Sequence, residues 1–115
     1  MRKQLQTFAT ERDWDQYHSP RNLLLALSGE VGELCEIFQW KGEVKTGLPE
    51  FSEEERIRVG EEMSDVFNYL IRFADRCRID LVEAWSRKQY YNSLKYQAKL
   101  CKGSSKKYTE YQNKD

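Results

Sequence analysis

The chain has 115 residues, enough for one domain with a modest core, and its 19 basic and 19 acidic residues balance to a net charge of zero. Its three cysteines, Cys35, Cys77 and Cys101, lack paired spacing, which argues against a disulfide framework and favours a reducing compartment. We expect a location in the cytoplasm, and the nucleus or a mitochondrion as additional locations. No apolar run is long enough to cross a membrane, and the charged N-terminus lacks the apolar stretch of a secretory signal. We therefore expect no membrane association.

The first half of the chain is predicted to form two helices joined by a short break. The first helix is predicted over residues 2–16 from its apolar periodicity. Ser19 suits the N-cap position and Pro20 the first helical position of a second helix, predicted over residues 20–40. Residues 41–51 contain two glycines and a proline and are predicted to form a loop.

The second half of the chain is also predicted to be helical. Ser52 and Glu55 form a capping-box pattern that begins a third helix, predicted over residues 52–77. A similar acidic pattern begins a fourth helix, predicted over residues 80–96. Strictly alternating β-branched segments are absent from the sequence, so the fold class is predicted to be all-α.

The charges of the chain are distributed unevenly. Residues 30–65 carry a net charge of −7, whereas residues 66–115 carry +6. Such an arrangement suits an anionic ligand that carries a metal, although two solvated helix faces of opposite sign explain the charges equally well. The polar, lysine-rich residues 99–115 are predicted to be an extended or disordered arm that follows a helical domain of residues 1–98.

Two acidic signatures share one internal spacing: Glu30 with Glu33, and Glu62 with Asp65. Residues three apart lie on one helix face. On a helical projection, both signatures lie in or beside apolar stripes that should face the core; these stripes consist of Leu23, Leu27, Val31, Leu34 and Phe38 in one helix, and Val59, Met63, Val66, Leu70, Phe73 and Cys77 in the other. Buried carboxylates without partners are very costly, so four that converge should bind cations.

The donor set indicates which cation and which ligand to expect. Carboxylate oxygens without a nearby histidine or cysteine favour Mg²⁺, or Mn²⁺, over zinc or copper. Such ions neutralise phosphate oxygens and activate a bound water molecule, and a carboxylate that is not fully used as a ligand can take the proton of that water. A ferritin-like di-iron site is disfavoured because it needs Glu-x-x-His pairs, whereas the single histidine, His18, lies in a turn.

Aromatic and polar side chains near these helices suggest a binding pocket. Trp14, His18 and Trp40 flank the second helix, and Tyr69 lies one turn beyond Asp65. Such side chains can stack on a base, although ordinary core packing is an alternative for each. The fourth helix carries further polar candidates, namely Lys88, Asn92, Lys95 and Tyr96. The basic residues of the tail are mixed with acids and form no recognisable module, so no nucleic-acid partner is expected.

Several runs of the sequence together resemble the MazG-like all-α NTP pyrophosphatases. These runs are ERDW (11–14), PRNLLLAL (20–27), GEVGEL (29–34), FQWK (38–41), EEMSDV (61–66) and SSKKYTE (104–110). The paired acidic signatures mark the superfamily, whereas ERDW, PRNLLLAL and FQWK are similar to the branch that acts on dCTP. The chain departs from the family pattern at Leu5, where a histidine is common, and at Gln97, where a proline usually follows the tyrosine.

The resemblance implies a four-helix bundle protomer that assembles as a homo-oligomer, a dimer of dimers. It implies a nucleotide-pool enzyme that uses Mg²⁺ to hydrolyse dCTP, or 5-modified dCTP, to dCMP and pyrophosphate. The implied metal ligands are Glu30, Glu33, Glu62 and Asp65, and the implied substrate-binding residues are Trp14, His18, Trp40, Tyr69, Lys88, Asn92 and Tyr96. Two alternatives stay open, a hydrolase of another NTP such as dUTP and a non-catalytic helical binding module with a structural cation.

Overall fold

The computed structural model describes residues 1–96, which form four α-helices and one 3₁₀ turn. The elements are α1 (Arg2–Glu11), the 3₁₀ turn (Asp15–Tyr17), α2 (Pro20–Phe38), α3 (Glu53–Arg76) and α4 (Leu81–Lys95). These residues contain no strand, which confirms the all-α prediction. The ends of α2, α3 and α4 lie within two residues of the predicted ends. The described part of the chain holds no helix that is both long and apolar enough to cross a membrane.

Helix α1 ends at Glu11, so the prediction that it continues to residue 16 is wrong. The backbone of Asp13 adopts the left-handed conformation, with φ of 55°, which a short polar side chain tolerates. The Trp14 N–H donates to the Ala9 carbonyl at 2.9 Å, and the Asp13 N–H donates to the Thr10 carbonyl at 3.1 Å. This pair of bonds is a Schellman motif, which stops the helix and redirects the chain.

Helices α2 and α3 begin where the capping patterns predict. The Ser19 side chain accepts a hydrogen bond from the Asn22 N–H at 3.2 Å, with Pro20 at the first helical position. The Ser52 hydroxyl accepts from the Glu55 N–H at 3.1 Å, while the Glu55 carboxylate accepts from the Ser52 N–H at 2.9 Å. This reciprocal pair is a complete capping box and fixes the start of α3.

The packing of α2 on α3 brings the two acidic signatures together. Ile37 near the end of α2 is buried against Phe51 and Val59, which lie just before and near the start of α3. The end of one helix therefore packs on the beginning of the next, so the two helices run antiparallel. This arrangement places the middle of α2, with Glu30, opposite the middle of α3, with Glu62.

The connection between α2 and α3 is attached to the fold at both ends. At its start, the Lys41 ammonium pairs with the Glu55 carboxylate at 2.5 Å. The Arg56 guanidinium donates to the carbonyls of Gly47 and Leu48, the latter at 3.2 Å. The side chain of Phe51 is buried and packs against Phe38, with ring centroids 5.3 Å apart. By contrast, residues 42–46 are exposed. The predicted loop is therefore present, with two fixed ends and an exposed middle.

Part of the apolar stripes does not face the core of this chain. Val31, Met63 and Leu70 are 42%, 53% and 37% exposed, although the helical projection predicts that they are buried. Leu23 and Val59 on the same two stripes are buried as predicted. The difference arises because the contact between α2 and α3 covers only part of each stripe, and the three exposed side chains lie beyond it.

The chain divides into two compact units. The first unit, Met1–Ile79, contains α1, the 3₁₀ turn, α2 and α3. The second unit begins at Asp80 and contains α4, whose first turn is capped by the Asp80 carboxylate accepting from the Glu83 N–H at 3.1 Å. The predicted domain boundary after residue 98, the arm of residues 99–115 and Gln97 lie outside the described residues.

Candidate metal and nucleotide site

Three of the four carboxylates predicted to bind metal converge in the first unit. Glu30 from α2 and Glu62 and Asp65 from α3 each offer one oxygen, and these three oxygens lie within 4.8 Å of one another. Two of the side chains are half-buried and that of Asp65 is exposed. The antiparallel packing of α2 and α3 therefore assembles a three-carboxylate group from Glu30 and from two residues that follow it by 32 and 35 positions in the chain.

Two oxygens of this group lack the partners that buried oxygens normally have. Oε2 of Glu30 and Oε2 of Glu62 are shielded from solvent and accept no hydrogen bond from any described residue. A shielded carboxylate oxygen without a partner is costly and is rare in folded proteins. Coordination to a cation removes this cost, and a purely oxygen donor set is what Mg²⁺ and Mn²⁺ prefer. The three residues therefore fit a divalent cation.

The fourth predicted ligand, Glu33, lies beside this group without belonging to it. Burial raises the pKa of Glu30, and the neighbouring carboxylates of Glu33 and Asp65 raise this pKa further. Burial likewise raises the pKa of Glu62, and Glu33 and Asp65 contribute next. Glu33 thus adds to the local negative potential that would attract a cation, while its role as a direct ligand stays a prediction.

A pocket of about 160 Å³ adjoins the carboxylate group. Its walls come from α1, the segment between α1 and α2, and α3. The lining residues are Leu5, Phe8, Ala9, Trp14, His18, Asp65, Asn68, Tyr69 and Arg72. Asp65 belongs both to this wall and to the carboxylate group, so a ligand in the pocket would lie next to a cation bound there.

Aromatic contacts define one side of the pocket. The Phe8 and Trp14 rings meet edge to face with centroids 5.6 Å apart, and the Trp14 and His18 rings lie 6.2 Å apart. Burial raises the pKa of the Tyr69 hydroxyl, as do the nearby carboxylates, with Glu30 the largest contributor among them. Tyr69 therefore stays a neutral phenol that can donate a hydrogen bond. An aromatic wall of this kind suits a planar base.

Two polar pocket residues were not among the residues predicted from sequence. Asn68 and Arg72 follow Asp65 by three and seven residues, which places all three side chains on one face of α3. The helical spacing that puts Tyr69 one turn beyond Asp65 therefore also contains the signal for Asn68 and Arg72. Neither residue type is unusual on a helix surface, so the spacing alone did not single them out.

The remaining predicted substrate-binding residues lie elsewhere in the described structure. Trp40 follows the end of α2, is 88% exposed, and does not line the pocket. Lys88, Asn92 and Tyr96 lie on or at the end of α4 in the second unit, where the Tyr96 N–H donates to the Asn92 carbonyl at 2.9 Å. Their contacts with substrate stay predictions.

Comparison with known proteins places this geometry in a family, although no family model matches the chain. Over 103 residues the chain is 54% identical to "dCTP pyrophosphatase 1" of Homo sapiens and 52% identical to that of Bos taurus. Each alignment covers 90% of this chain and 61% of the relative, so the chain spans less than two thirds of these proteins. A crystal structure of a pyrophosphatase from Archaeoglobus fulgidus matches with a TM-score of 0.71 and 39% identity, covering 83% of this chain and 87% of that one. With this identity over most of both chains and a shared fold, the chain belongs to the MazG-like all-α pyrophosphatases.

Proposed function

We propose that the chain hydrolyses dCTP, and dCTP modified at position 5 of the base, to dCMP and pyrophosphate. The observation that carries this proposal is the pair of shielded, partnerless carboxylate oxygens of Glu30 and Glu62 beside an aromatic pocket. An oxygen-only cation site next to a wall suited to a planar base fits a metal-bound nucleotide. The names of the similar proteins support dCTP as the substrate.

The cation in this proposal is Mg²⁺, with Mn²⁺ as the alternative that the same ligands accept. Glu30, Glu62 and Asp65 would hold it, because their oxygens already lie within 4.8 Å of one another. When bound, the ion supplies charge neutralisation of the polyphosphate and acidifies a water molecule. Glu33 is the carboxylate beside the ligand group and would accept the proton of the attacking water.

The pocket residues have separate roles in this scheme. Trp14 offers the stacking surface for the base, and the Tyr69 hydroxyl donates a hydrogen bond close to the carboxylates. The deoxynucleotide is thereby oriented with its phosphates toward Asp65, where the pocket and the carboxylate group meet. Attack of water on the α-phosphorus from this orientation breaks the α–β link and releases pyrophosphate in one step.

The assembly proposed for this activity is a homo-oligomer. Large apolar side chains are exposed on both long helices of the first unit: Leu24, Leu25, Val31, Ile57, Met63, Phe67 and Leu70. Exposed apolar groups in such number on two adjacent helices are typical of subunit contacts. Light scattering coupled to size-exclusion chromatography should give the mass of a dimer or a tetramer, and an active monomer at micromolar concentration would contradict this.

The substrate assignment is tested by incubating the protein with Mg²⁺ and each dNTP in turn and following the products by phosphorus NMR. The expected result is pyrophosphate as the first product, released fastest from dCTP. A chelator control should abolish the reaction. Preference for dUTP would redirect the proposal to another NTP, and orthophosphate as the first product would overturn it. Metal binding without turnover of any nucleotide would instead favour a non-catalytic module with a structural cation.

A further inference from the structure

Arg72 is a charged side chain that the proposed reaction does not use. Its side chain is only 4% exposed, yet it lies in the wall of the pocket. Its guanidinium donates hydrogen bonds to four groups: the ring of His18, Gln6, Asp15 and Asp75. Because Nε, Nη1 and Nη2 each already have a protein acceptor, Arg72 is poorly placed to bind the phosphates of a substrate. Its contacts point to the neighbouring side chains.

The contact with His18 fixes where the imidazole carries its proton. The Arg72 Nε–H donates to Nδ1 of His18 at 3.0 Å, so Nδ1 acts as an acceptor and carries no proton. The neutral ring must then hold its proton on Nε2. Burial lowers the pKa of His18, and the positive charge of Arg72 lowers it further, so the ring remains neutral at physiological pH.

The ring is also held in place from its own backbone. Nε of Arg76, one turn beyond Arg72 on α3, donates to the His18 carbonyl at 3.0 Å. Two arginines of α3 thus donate hydrogen bonds to His18, Arg72 to its ring and Arg76 to its carbonyl. In the described part of the chain no acceptor meets Nε2 of His18. The ring therefore lines the pocket with a single unused polar group, an N–H donor.

We propose that Arg72 is a positioning residue that presents His18 to the bound nucleotide as a fixed Nε2–H donor and so contributes to selection of the base. This inference rests on the proposed function for the identity of the ligand. Cytosine offers two adjacent acceptors, N3 and the O2 carbonyl, along one edge, whereas uracil and thymine carry a proton on N3. A fixed N–H donor can hydrogen-bond to the unprotonated N3 of cytosine but not to the N3–H of uracil or thymine, so it favours cytosine.

The tautomer is tested directly by long-range ¹H–¹⁵N NMR of the ¹⁵N-labelled, metal-free protein. His18 is the single histidine of the chain, so its ring signals need no separate assignment. The expected spectrum at neutral pH shows one protonated nitrogen, Nε2, and one unprotonated nitrogen, Nδ1. A proton on Nδ1, or rapid averaging between the two tautomers, would overturn the proposal. This measurement needs neither a variant nor turnover, so its outcome is independent of the substrate assignment.

A matched pair of variants separates the ring contact from the backbone contact. Arg72→Gln should allow the tautomers of His18 to average, whereas Arg76→Gln, which affects only the bond to the carbonyl, should leave the Nε2–H tautomer in place. Circular dichroism establishes that both variants fold. An unchanged tautomer in folded Arg72→Gln would show that Arg72 does not set the proton position. If that variant does not fold, Arg72→Lys is measured in the same way, and an unchanged tautomer in that variant would contradict the proposal.

Kinetics test the consequence for base selection. Arg72→Lys keeps the charge but loses the Nε–H that meets the ring, so we expect the ratio of kcat/KM for dCTP to that for dUTP to fall by about tenfold, the worth of one hydrogen bond. The change should appear mainly in KM for dCTP. An equal loss for every dNTP would mean that Arg72 supports only the fold. Absence of pyrophosphate from the wild-type protein with all dNTPs would instead defeat the proposed function, while the NMR result would still stand.

Discussion

Helix α3 carries two charged side chains that differ in how completely their polar atoms are hydrogen-bonded. Toward its first half, the Glu62 carboxylate has a shielded oxygen with no hydrogen-bond partner among the described residues. Ten residues later, the Arg72 guanidinium is more deeply buried and donates to four different side chains. Both groups hold polar atoms that are shielded from water, and such atoms are costly when they lack partners.

The difference indicates what each set of charges is for. A buried charge whose hydrogen bonds are complete, like that of Arg72, holds neighbouring segments together: here α1, the 3₁₀ turn and α3. A shielded carboxylate oxygen whose hydrogen bonds are incomplete, like that of Glu62, is the kind of atom to which the proposed cation would bind. Removing the first kind should damage the fold, whereas removing the second should damage the chemistry and spare the fold.

The largest expected effect is on turnover. Glu62→Gln removes a charge from the three-carboxylate group, so pyrophosphate release from dCTP should fall by at least about 100-fold, more than the loss of a group that merely supports a metal ligand. In chelator the variant should melt at or above the temperature of the wild type, because crowding of like charges is relieved. Steady-state assays and thermal melts measure both quantities.

The control for this variant is Glu61→Gln, which changes an exposed acid at the neighbouring position of the same helix. It should keep activity and should leave the melting temperature unchanged. Mg²⁺ should raise the melting temperature of the wild type and of this control by binding the folded state, and that of Glu62→Gln much less. A Glu62→Gln protein that is active, or that melts far below wild type in chelator, would make Glu62 a structural residue.

The next effect is on stability. Arg72→Met leaves the carboxylates of Asp15 and Asp75 without their buried partner, so the free energy of unfolding should fall by about 2–3 kcal/mol in urea titrations. Arg87→Met is the comparison, since the Arg87–Glu83 pair is 3.9 Å apart with both side chains 71% exposed. That change should cost under about 1 kcal/mol. Equal losses in the two variants would remove the contrast between buried and exposed charge.

The two tryptophans distinguish the pocket from the surface. Trp14→Ala removes a lining side chain, so KM for dCTP should rise by about tenfold, within the roughly 1–3 kcal/mol that stacking of one base contributes. Trp40 is 88% exposed and lies away from the pocket walls, so Trp40→Ala should change KM less. Kinetics of the two variants on dCTP and dUTP measure this difference. A larger effect at Trp40 would show that the base is bound on another surface.

The smallest expected effect is a difference in pH dependence between the two charged regions. The pKa of Glu62 is raised above 4.5 in the folded chain, so below neutral pH the folded state takes up a proton before the unfolded state does. In chelator, the stability advantage of Glu62→Gln over wild type should therefore be greatest at neutral pH and shrink as the pH falls toward 4.5.

His18 should show the opposite sign. Its pKa is lowered from 6.5, so on acidification below 6.5 the unfolded chain binds a proton first and the folded state loses stability. His18→Gln should remove this loss. Urea titrations at several pH values, in chelator, measure both trends. If the stability advantages of Glu62→Gln and His18→Gln over wild type changed with pH in the same direction, one of the two groups would be in contact with solvent.

Much of the fold is predictable from local signals in the sequence. The caps at Ser19 and Ser52 depend on hydrogen bonds between a side chain and a backbone N–H three residues away. They can therefore be predicted from the sequence, and the structure confirms them. The early end of α1 cannot be predicted in this way. It depends on the left-handed backbone conformation of Asp13, which most residues avoid and which only some aspartates adopt. The exposure of Met63 escapes prediction too, since periodicity identifies an apolar stripe without giving the width of the surface that covers it.

The candidate site likewise combines features that the local sequence predicts with features that depend on tertiary contacts. The spacing of Glu62 and Asp65 gives their shared face directly, and the antiparallel packing then brings Glu30 to them. The network around Arg72 joins positions as far apart as Gln6, Asp15 and Asp75, so it depends on tertiary contacts that no local pattern contains. Residues that act through distant neighbours are therefore visible only once the fold is known.

The exposed middle of the connection between α2 and α3 has a practical consequence for labelling this protein. Residues 42–46 are exposed, whereas the chain on either side is held by the Lys41–Glu55 pair, by Arg56 and by the buried ring of Phe51. Extra residues placed between Glu43 and Thr46 would lengthen a loop whose closure costs only about 0.6 kcal/mol for each doubling of its length. A fluorophore tag or a protease cleavage sequence could be inserted there while the helices that carry the carboxylates keep their packing.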